Sequence, residues 1–287
     1  MKKIIGNIFA FIISVIFVIN ISGCASMPVV KESPHNAAGI AAKAGFNEKI
    51  IAVNNFVLKT FRKFQGPSAN LHVYIEGDGT AWKTKAKRSL DPTPSNPVAL
   101  RLAVMDPAKN IIYIARPGQF PDRDAPKCDP AYWSGRRFAP EVVEAVSKVI
   151  DMAKKDSGAP SVEITGYSGG GAIAVLLAAR RSDVVALRTV AGNLDSKEFC
   201  VYHHVSPLDG SLNPSDYAPA VRHIPQRHFI GSRDRIIPHF IAESFADKIG
   251  DTMHQSIYVV KGATHNIKWQ EAWPRILSAP LYRAIKK

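Results

Sequence analysis

A serine between glycines stands near the middle of the chain, in the pattern Gly-Tyr-Ser-Gly-Gly over residues 166–170. An apolar run precedes this pattern, and a run without any polar side chain follows it over residues 171–179. A sharp turn from a strand into a helix would raise the hydroxyl of Ser168 above the edge of a sheet, and glycine permits such a turn. Ser168 is therefore a candidate nucleophile for acyl transfer. The alternative is a glycine-rich turn without a chemical role.

A serine hydroxyl becomes a good nucleophile only beside a base, and that base needs an acid to orient it. Asp234 and His265 each follow an apolar, strand-like run, so both are predicted in loops at strand ends. We predict Ser168 as nucleophile, His265 as base and Asp234 as the orienting acid. Asp195, which also follows a predicted strand, is an alternative acid. A helix-capping role for Asp234 and a surface role for His265 stay open.

Acyl transfer also needs N–H donors directed at the developing oxyanion, and one of them usually comes from the residue after the nucleophile. That residue is Gly169. A second glycine-rich segment follows the strand-like run 71–76, and the amide of Gly79 or Thr80 is the second candidate donor. An ordinary turn is the alternative for this segment.

These residues need a scaffold that brings distant loops to one edge. From about residue 50, short runs rich in Val, Ile and Tyr alternate with longer helix-like segments, which predicts a mainly parallel sheet covered by helices on both faces. The predicted strands are 55–62, 71–76, 111–115, 161–166, 184–190, 226–230 and 256–260. The predicted helices are 96–105, 139–155, 169–181, 238–250 and 269–285.

From about Leu71 to its end, the chain resembles the α/β-hydrolase fold family, whose nucleophile, acid and base follow in the order of Ser168, Asp234 and His265. The resemblance implies a mainly parallel central sheet with helices on both faces and a short lid at about residues 191–225. With the predicted nucleophile, base and acid, we expect a serine hydrolase acting on an ester, thioester or related acyl bond. A serine nucleophile argues against the dehalogenase chemistry that the same fold also hosts.

A closer similarity links six stretches to bacterial lipoproteins described only as hydrolases, so it supplies no substrate. Arg116, in one of these stretches, is expected to pair with a carboxylate, with an anionic substrate group as the alternative. Glu76 stands where the HGGG-type motif of some hydrolases has histidine. The six stretches are 77–82, 116–120, 166–181, 191–195, 210–216 and 231–238.

The beginning of the chain has the composition of an export signal. Lys2 and Lys3 precede the largely apolar run 4–21, which predicts a lipoprotein signal peptide over residues 1–23. The run ends in Ser-Gly-Cys and resembles a lipobox, which implies cleavage before Cys24 and acylation of its thiol. An uncleaved membrane-spanning helix is the alternative. The resemblance implies an exported protein of the cell envelope, on the periplasmic face of the outer membrane if the cell is Gram-negative.

Residues 24–45 contain prolines and small residues and are predicted as a tether, followed by one hydrolase domain over residues 46–287. The two remaining cysteines, Cys128 and Cys200, would lie where disulfides persist, so a bridge between them is open.

Net charge and sequence motifs limit the binding partners and cofactors that we expect. The 287 residues carry a net charge of +13, but the basic residues are scattered and nucleic-acid motifs are absent, so nucleic acid is not expected. The absence of metal-ligand spacing, a phosphate loop and a dinucleotide motif predicts no metal and no cofactor. The expected partners are an acyl small molecule or lipid as substrate, and a membrane through the lipid anchor. A noncatalytic binding or scaffold lipoprotein, or a peptidase or transacylase using the same residues, is the alternative.

Overall fold

The computed structural model describes residues 36–281, apart from residues 68, 85, 123–125 and 251–253. The predicted signal peptide, the predicted acylation site Cys24 and the first part of the predicted tether lie outside the described residues. Among the helices that the structure describes, none is both long enough and apolar enough to cross a bilayer.

The described strands are β1 Asn47–Val53, β2 Phe56–Lys63, β3 Leu71–Ile75, β4 Asn110–Ile114, β5 Val162–Tyr167, β6 Val184–Val190, β7 Gln226–Gly231 and β8 Gln255–Val260. They form one sheet in the order β1-β2-β4-β3-β5-β6-β7-β8. β2 pairs antiparallel with β1 and β4, and the pairs from β4 to β8 are parallel. The carboxyl ends of the parallel strands therefore meet at one edge of the sheet.

The central strands are apolar because both of their faces are covered. All five residues of β4 are buried, and Leu71, Val73 and Ile75 of β3 are completely buried. β1, which was not predicted, is the edge strand, and only Ile51 and Val53 are buried in it. Its first three residues are polar and exposed, so its apolar part is limited to residues 50–53.

The described α-helices are α1 Ala37–Lys43, α2 Val98–Ala103, α3 Pro140–Ser157, α4 Gly169–Ala178, α5 Ser196–His203, α6 His239–Ile249 and α7 Trp269–Ser278. Residues of α3, α4 and α6 share one hydrophobic cluster with the sheet, and residues of α1, α2 and α7 share another. All ten residues of α4 are buried, as expected for a helix without a polar face. The predicted layering of helices on both faces is confirmed.

The packed body begins earlier than residue 46. Asn36 caps α1 by accepting a hydrogen bond from the Gly39 amide at 2.9 Å, and Ala37 and Ala41 are buried. The prediction of a tether up to residue 45 is therefore wrong for residues 36–45. The small residues that suggested a flexible linker instead allow a short helix to pack closely.

The segment 191–225, predicted as a lid, contains α5 and a 3-10 helix, Pro214–Val221. Ala218 and Val221 are completely buried in the main core, so this part packs on the body. The cysteines do not form the disulfide that was left open, because both thiols are free. Cys200 is buried on α5, whereas Cys128 lines a cavity beside Phe56 of β2.

Candidate active site

Ser168 occupies the turn between β5 and α4 in a strained backbone conformation, with φ 51° and ψ −121°. Residues other than glycine rarely adopt such angles, and they persist only where neighbouring structure enforces them. The Ser168 amide donates to the Val190 carbonyl at 2.9 Å, and its carbonyl accepts from the amides of Gly171 at 2.9 Å and Asn193 at 3.0 Å. These bonds to β6, to the loop after β6 and to the first turn of α4 fix the turn that presents the hydroxyl.

The glycines around Ser168 are required by close backbone contacts. A Cβ on Gly166 would overlap the carbonyl oxygen of Gly170, and a Cβ on Gly170 would overlap that of Ile75. The strand, the turn and the adjacent β3 are therefore packed more closely than any larger residue permits. The glycines of this sequence pattern are therefore required by close packing as well as by the turn.

The three residues predicted as nucleophile, base and acid lie in one hydrogen-bonded chain. His265 Nε2 is 3.0 Å from Ser168 Oγ, and His265 Nδ1 is 2.9 Å from Asp234 Oδ2. Ser168 follows β5, Asp234 follows β7 and His265 follows β8, so the parallel sheet brings together side chains far apart in sequence. In this arrangement the imidazole can accept the serine proton while the carboxylate stabilises the charged ring.

Asp234 uses its two carboxylate oxygens for different purposes. Oδ1 accepts from the amides of Ile236 at 2.8 Å and Ile237 at 2.9 Å, while Oδ2 contacts His265. The side chain has no exposed surface. Asp234 does not cap α6, which begins at His239, so its amide contacts lie within the loop before that helix. These contacts set the direction of Oδ2.

Asp195, the alternative acid, is engaged elsewhere. Its Oδ1 accepts from the amides of Lys197 and Glu198 at the start of α5. Its Oδ2 accepts from Ser215 at 2.8 Å and Ser244 at 2.7 Å. Asp195 is thus a helix cap within a buried polar network, and Asp234 is the carboxylate that contacts His265.

Hydrogen bonds from Tyr167 and Trp269 hold the loop that carries His265. The Tyr167 hydroxyl is 2.9 Å from the His265 carbonyl and 2.7 Å from Asn266 Oδ1, and Trp269 Nε1 donates to the His265 carbonyl at 2.8 Å. Trp269 is almost completely buried. These contacts restrict the backbone beneath the imidazole and so restrict the distance from His265 to Ser168.

Of the candidate oxyanion donors, the amides of Gly169 and Gly79 are unoccupied within the part of the chain that the structure describes, whereas the amide of Thr80 already has a partner. Gly169 is the first residue of α4, so its N–H has no partner within the helix and is available. The amide of Thr80 donates to the Pro92 carbonyl at 3.0 Å, so the prediction of Thr80 as a donor is wrong. Gly79 adopts φ +64°, and in the described residues no hydrogen bond uses its amide or that of Asp78. The turn at Gly79 directs the following amide, that of Thr80, at Pro92 and not at the cavity.

Glu76, which directly follows β3, is buried and supports this loop. Its Oε1 accepts from the amides of Gly77 at 3.0 Å and Ala99 at 3.3 Å. Burial raises the pKa of the Glu76 carboxyl from 4.5 to about 7, against the opposing effect of the backbone donors. The residue that replaces the expected histidine is therefore a buried carboxyl that joins the loop to α2.

Two arginines that flank the loop share one carboxylate. Arg116 Nη1 is 3.2 Å from Asp78 Oδ1, and Arg137 Nη1 is 2.9 Å from Asp78 Oδ2. Arg116 thus pairs with a carboxylate, as expected from its sequence context. Asp78 lies against Gly169, where an added Cβ would overlap Oδ1. The cluster is adjacent to the nucleophile.

Sequence reasoning did not identify Arg137 or Asp78. A signal for Arg137 exists, because it stands just before α3, where a helix dipole disfavours a cation. A buried cation in that position requires a carboxylate, and Asp78 is the carboxylate that meets it.

A cavity of about 560 Å³ opens above Ser168. Gly79, Thr80, Arg137 and His265 are among the residues that line it. Within the described part of the chain, His, Cys, Asp and Glu side chains form no cluster of three or more suited to a metal ion. The remaining lining residues are mainly apolar or uncharged and include Ala81, Trp82, Pro94, Ser95, Asn96, Tyr167, Asn193, Phe199, Ile236, Ile237 and Asn266.

Known proteins resemble this chain in structure. No protein-family model and no curated protein sequence matches it. An esterase from Pyrococcus furiosus is 12% identical, with a TM-score of 0.57 over 82% of this chain and 90% of that chain. An alpha-beta serine hydrolase homologue from Coxiella burnetii is 16% identical, with a TM-score of 0.54 over 81% of this chain and 97% of that chain. A membrane phospholipase A, described as a bacterial virulence factor, is 15% identical, with a TM-score of 0.54 over 85% of this chain and 91% of that chain.

The likeness at these identities establishes the fold. The chain has the α/β-hydrolase fold, and the predicted fold class is confirmed. Because this fold hosts many activities, function has to be inferred from the site itself.

Proposed function

We propose that this protein is a membrane-anchored serine hydrolase that cleaves an ester, thioester or related acyl bond through a covalent acyl-Ser168 intermediate. The observation that carries the proposal is the chain of contacts from Ser168 Oγ through His265 to Asp234, at 3.0 Å and 2.9 Å. The strained turn at Ser168 supports it as well, because strain at a nucleophile persists where function requires the exposed hydroxyl.

The first half of the reaction forms the acyl-enzyme. Ser168 Oγ attacks the carbonyl carbon of the substrate while His265 Nε2 takes the hydroxyl proton, and Asp234 stabilises the resulting imidazolium. The carbonyl π electrons move to oxygen, and the amides of Gly169 and Gly79 are the proposed donors to that oxyanion. The tetrahedral intermediate then collapses, the bond to the alcohol or thiol breaks, and His265 returns its proton to the leaving group.

The second half repeats these steps with water. His265 removes a proton from water, the hydroxide attacks the acyl carbon, and the oxyanion forms in the same place. Collapse breaks the bond to Ser168 Oγ, which regains a proton from His265. The products are a carboxylic acid and the free enzyme.

The lining of the cavity and the structurally similar proteins support acyl chemistry. Trp82, Phe199 and Ile236 give the cavity apolar surface for an acyl or alcohol group, and the polar triad lies beside them. An esterase, a serine hydrolase homologue and a membrane phospholipase A share the fold at low identity. Their activities belong to those proteins, but they agree with the proposed reaction.

The membrane anchor is a separate part of the proposal and rests on the lipobox-like sequence ending at Cys24. More than one acyl chain on one cysteine would give stable membrane attachment. Mass spectrometry of the N-terminal peptide of the mature protein should find Cys24 as its first residue and carrying lipid. An unmodified N-terminal peptide that retains residues 1–23 would contradict this part.

The hydrolase proposal is tested with a panel of neutral 4-nitrophenyl esters of increasing chain length. Ser168→Ala should lower kcat by about a million-fold if the three residues act as a unit. Ser95→Ala is the matched control, because Ser95 is an exposed serine in the same cavity and should leave kcat within about threefold. A folded wild-type protein without esterase or thioesterase activity would support a noncatalytic role instead.

A further inference from the structure

The cluster of Asp78, Arg116 and Arg137 carries more positive charge than its internal pairing needs. A single carboxylate contacts two guanidinium groups, at 3.2 Å and 2.9 Å. Arg116 is nearly buried, with 4% of its side chain exposed, and it does not line the cavity above Ser168. Arg116 alone suffices to neutralise Asp78, so Arg137 leaves a surplus charge.

Arg137 differs from Arg116 in its access to substrate. It lines the cavity together with Ser168 and His265. Its Nε donates to the Ser134 carbonyl at 2.8 Å and its Nη1 to Asp78 at 2.9 Å. Among the hydrogen bonds of the described residues, none uses Arg137 Nη2, and this atom is not among the buried polar atoms without a partner. The guanidinium is therefore fixed on two sides and available on the third.

The other charged groups of the cavity do not remove this surplus. Besides Arg137, the acidic and imidazole side chains that line the cavity are Glu76, Asp78 and His265. Asp78 is paired twice, and the buried Glu76 turns Oε1 toward backbone amides of its own loop and α2. Burial also raises the pKa of the Glu76 carboxyl to about 7, so below that pH it adds little negative charge. Arg137 is thus the cavity's cationic donor to a ligand.

We propose that Arg137 binds an anionic group of the substrate, so that the preferred substrate is an ester or thioester carrying a carboxylate or phosphate on its acyl or leaving group. This rests on the proposed hydrolase function and specifies its substrate class. A guanidinium presents a planar set of donors that suits both kinds of anion. Because Ser134 and Asp78 already hold the group, binding orders little additional structure.

The test compares esters of matched length with and without an anionic group. On the acyl side, the 4-nitrophenyl monoesters of adipate, pimelate and suberate are matched with 4-nitrophenyl hexanoate, heptanoate and octanoate, because the carboxylates of shorter monoesters attack their own ester and release 4-nitrophenol without enzyme. On the leaving-group side, 4-(butanoyloxy)phenylacetate is matched with its methyl ester, and a phosphonate in place of the carboxylate distinguishes the two anions. For at least one pair, wild-type kcat/KM should be about 10- to 100-fold higher for the anion, the range expected of a charge-assisted hydrogen bond.

The variant Arg137→Gln should bring this ratio of anionic to neutral kcat/KM close to one, mainly through KM for the anion. Arg137→Lys retains the charge beside Asp78, so it guards against loss of folding and should give an intermediate ratio. Arg136→Gln is the matched control, because Arg136 is exposed and pairs with Glu141 outside the cavity, and it should retain the wild-type ratio.

Two results would overturn the inference while the hydrolase function stands. One is a wild-type enzyme that hydrolyses charged and neutral esters equally at every length and on both sides. The other is an anion preference that Arg137→Gln and Arg137→Lys leave unchanged. Failure to hydrolyse any ester, charged or neutral, would overturn the proposed function together with this inference.

Discussion

Asp234→Asn is expected to abolish most activity by changing the tautomer of His265. In the wild type, Asp234 Oδ1 accepts from two backbone amides, and Oδ2 faces His265 Nδ1 at 2.9 Å. An asparagine that keeps both amide bonds must point its NH₂ group at Nδ1. The ring then accepts at Nδ1, so its proton moves to Nε2, which faces the Ser168 hydroxyl and can no longer take its proton.

The expected loss in kcat follows from the free-energy cost of turning the asparagine amide the other way. Turning the asparagine amide to restore the correct tautomer would direct its NH₂ group at the amides of Ile236 and Ile237, in a site where the side chain has no exposed surface. Two buried donors without an acceptor cost about 1–3 kcal/mol each, or roughly 2–6 kcal/mol together. This corresponds to a loss in kcat of roughly 30-fold to 20,000-fold.

The assay measures kcat and KM with a neutral 4-nitrophenyl ester, and circular dichroism checks that the variant is folded. The matched control is Asp195→Asn, which removes the carboxylate of the buried network around Ser215 and Ser244. It should destabilise the protein by about 1–3 kcal/mol and leave kcat within about threefold. Full activity of Asp234→Asn, or selective loss of activity in Asp195→Asn, would refute the assignment of the acid.

Three further predictions concern stability, the active-site loop and the thiols. Burial alone would lower the pKa of His72, but Asp106 and Glu163 raise it to about 9. The charged His72 imidazole therefore stabilises the folded state fully below pH 6.5, and this contribution is lost as the pH rises to 9. The difference in Tm between wild type and His72→Gln should shrink over that range. Gly79→Ala, at φ +64° and against the Pro92 carbonyl, should lower kcat by at least 10-fold in the ester assay, and wild-type kcat would contradict its placement. Burial raises the pKa of the Cys200 thiol, so it should react with a disulfide reagent only after unfolding, and rapid native reaction would contradict its burial.

The sequence predicted those parts of the molecule whose local pattern and tertiary role agree. The buried strands β3 to β7 were found because each contains a short run rich in apolar residues, and α4 because it lacks a polar face. The positions of Ser168, Asp234 and His265 followed from strand ends, since parallel strands place their carboxyl ends together. These features depend on periodicity and chain order, which the sequence contains.

The missed features depend on contacts that periodicity does not encode. The edge strand β1 has too few buried residues to be recognised, and α1 resembles a linker because its residues are small. The Thr80 amide donates to the Pro92 carbonyl because of the path that the loop takes between them. The meeting of Asp78 with Arg137 joins residues from two separate loops and is visible only in the folded chain.

The most direct test of the central proposal is to find which atom a fluorophosphonate modifies in the purified protein. Oγ of Ser168 should displace fluoride and form one phosphonate adduct, which peptide mass spectrometry would locate on the segment containing residues 166–170. Ser95→Ala should be labelled as the wild type is, and Ser168→Ala should not be labelled. Absence of an adduct on folded wild-type protein, or an equal adduct on Ser168→Ala, would contradict the account.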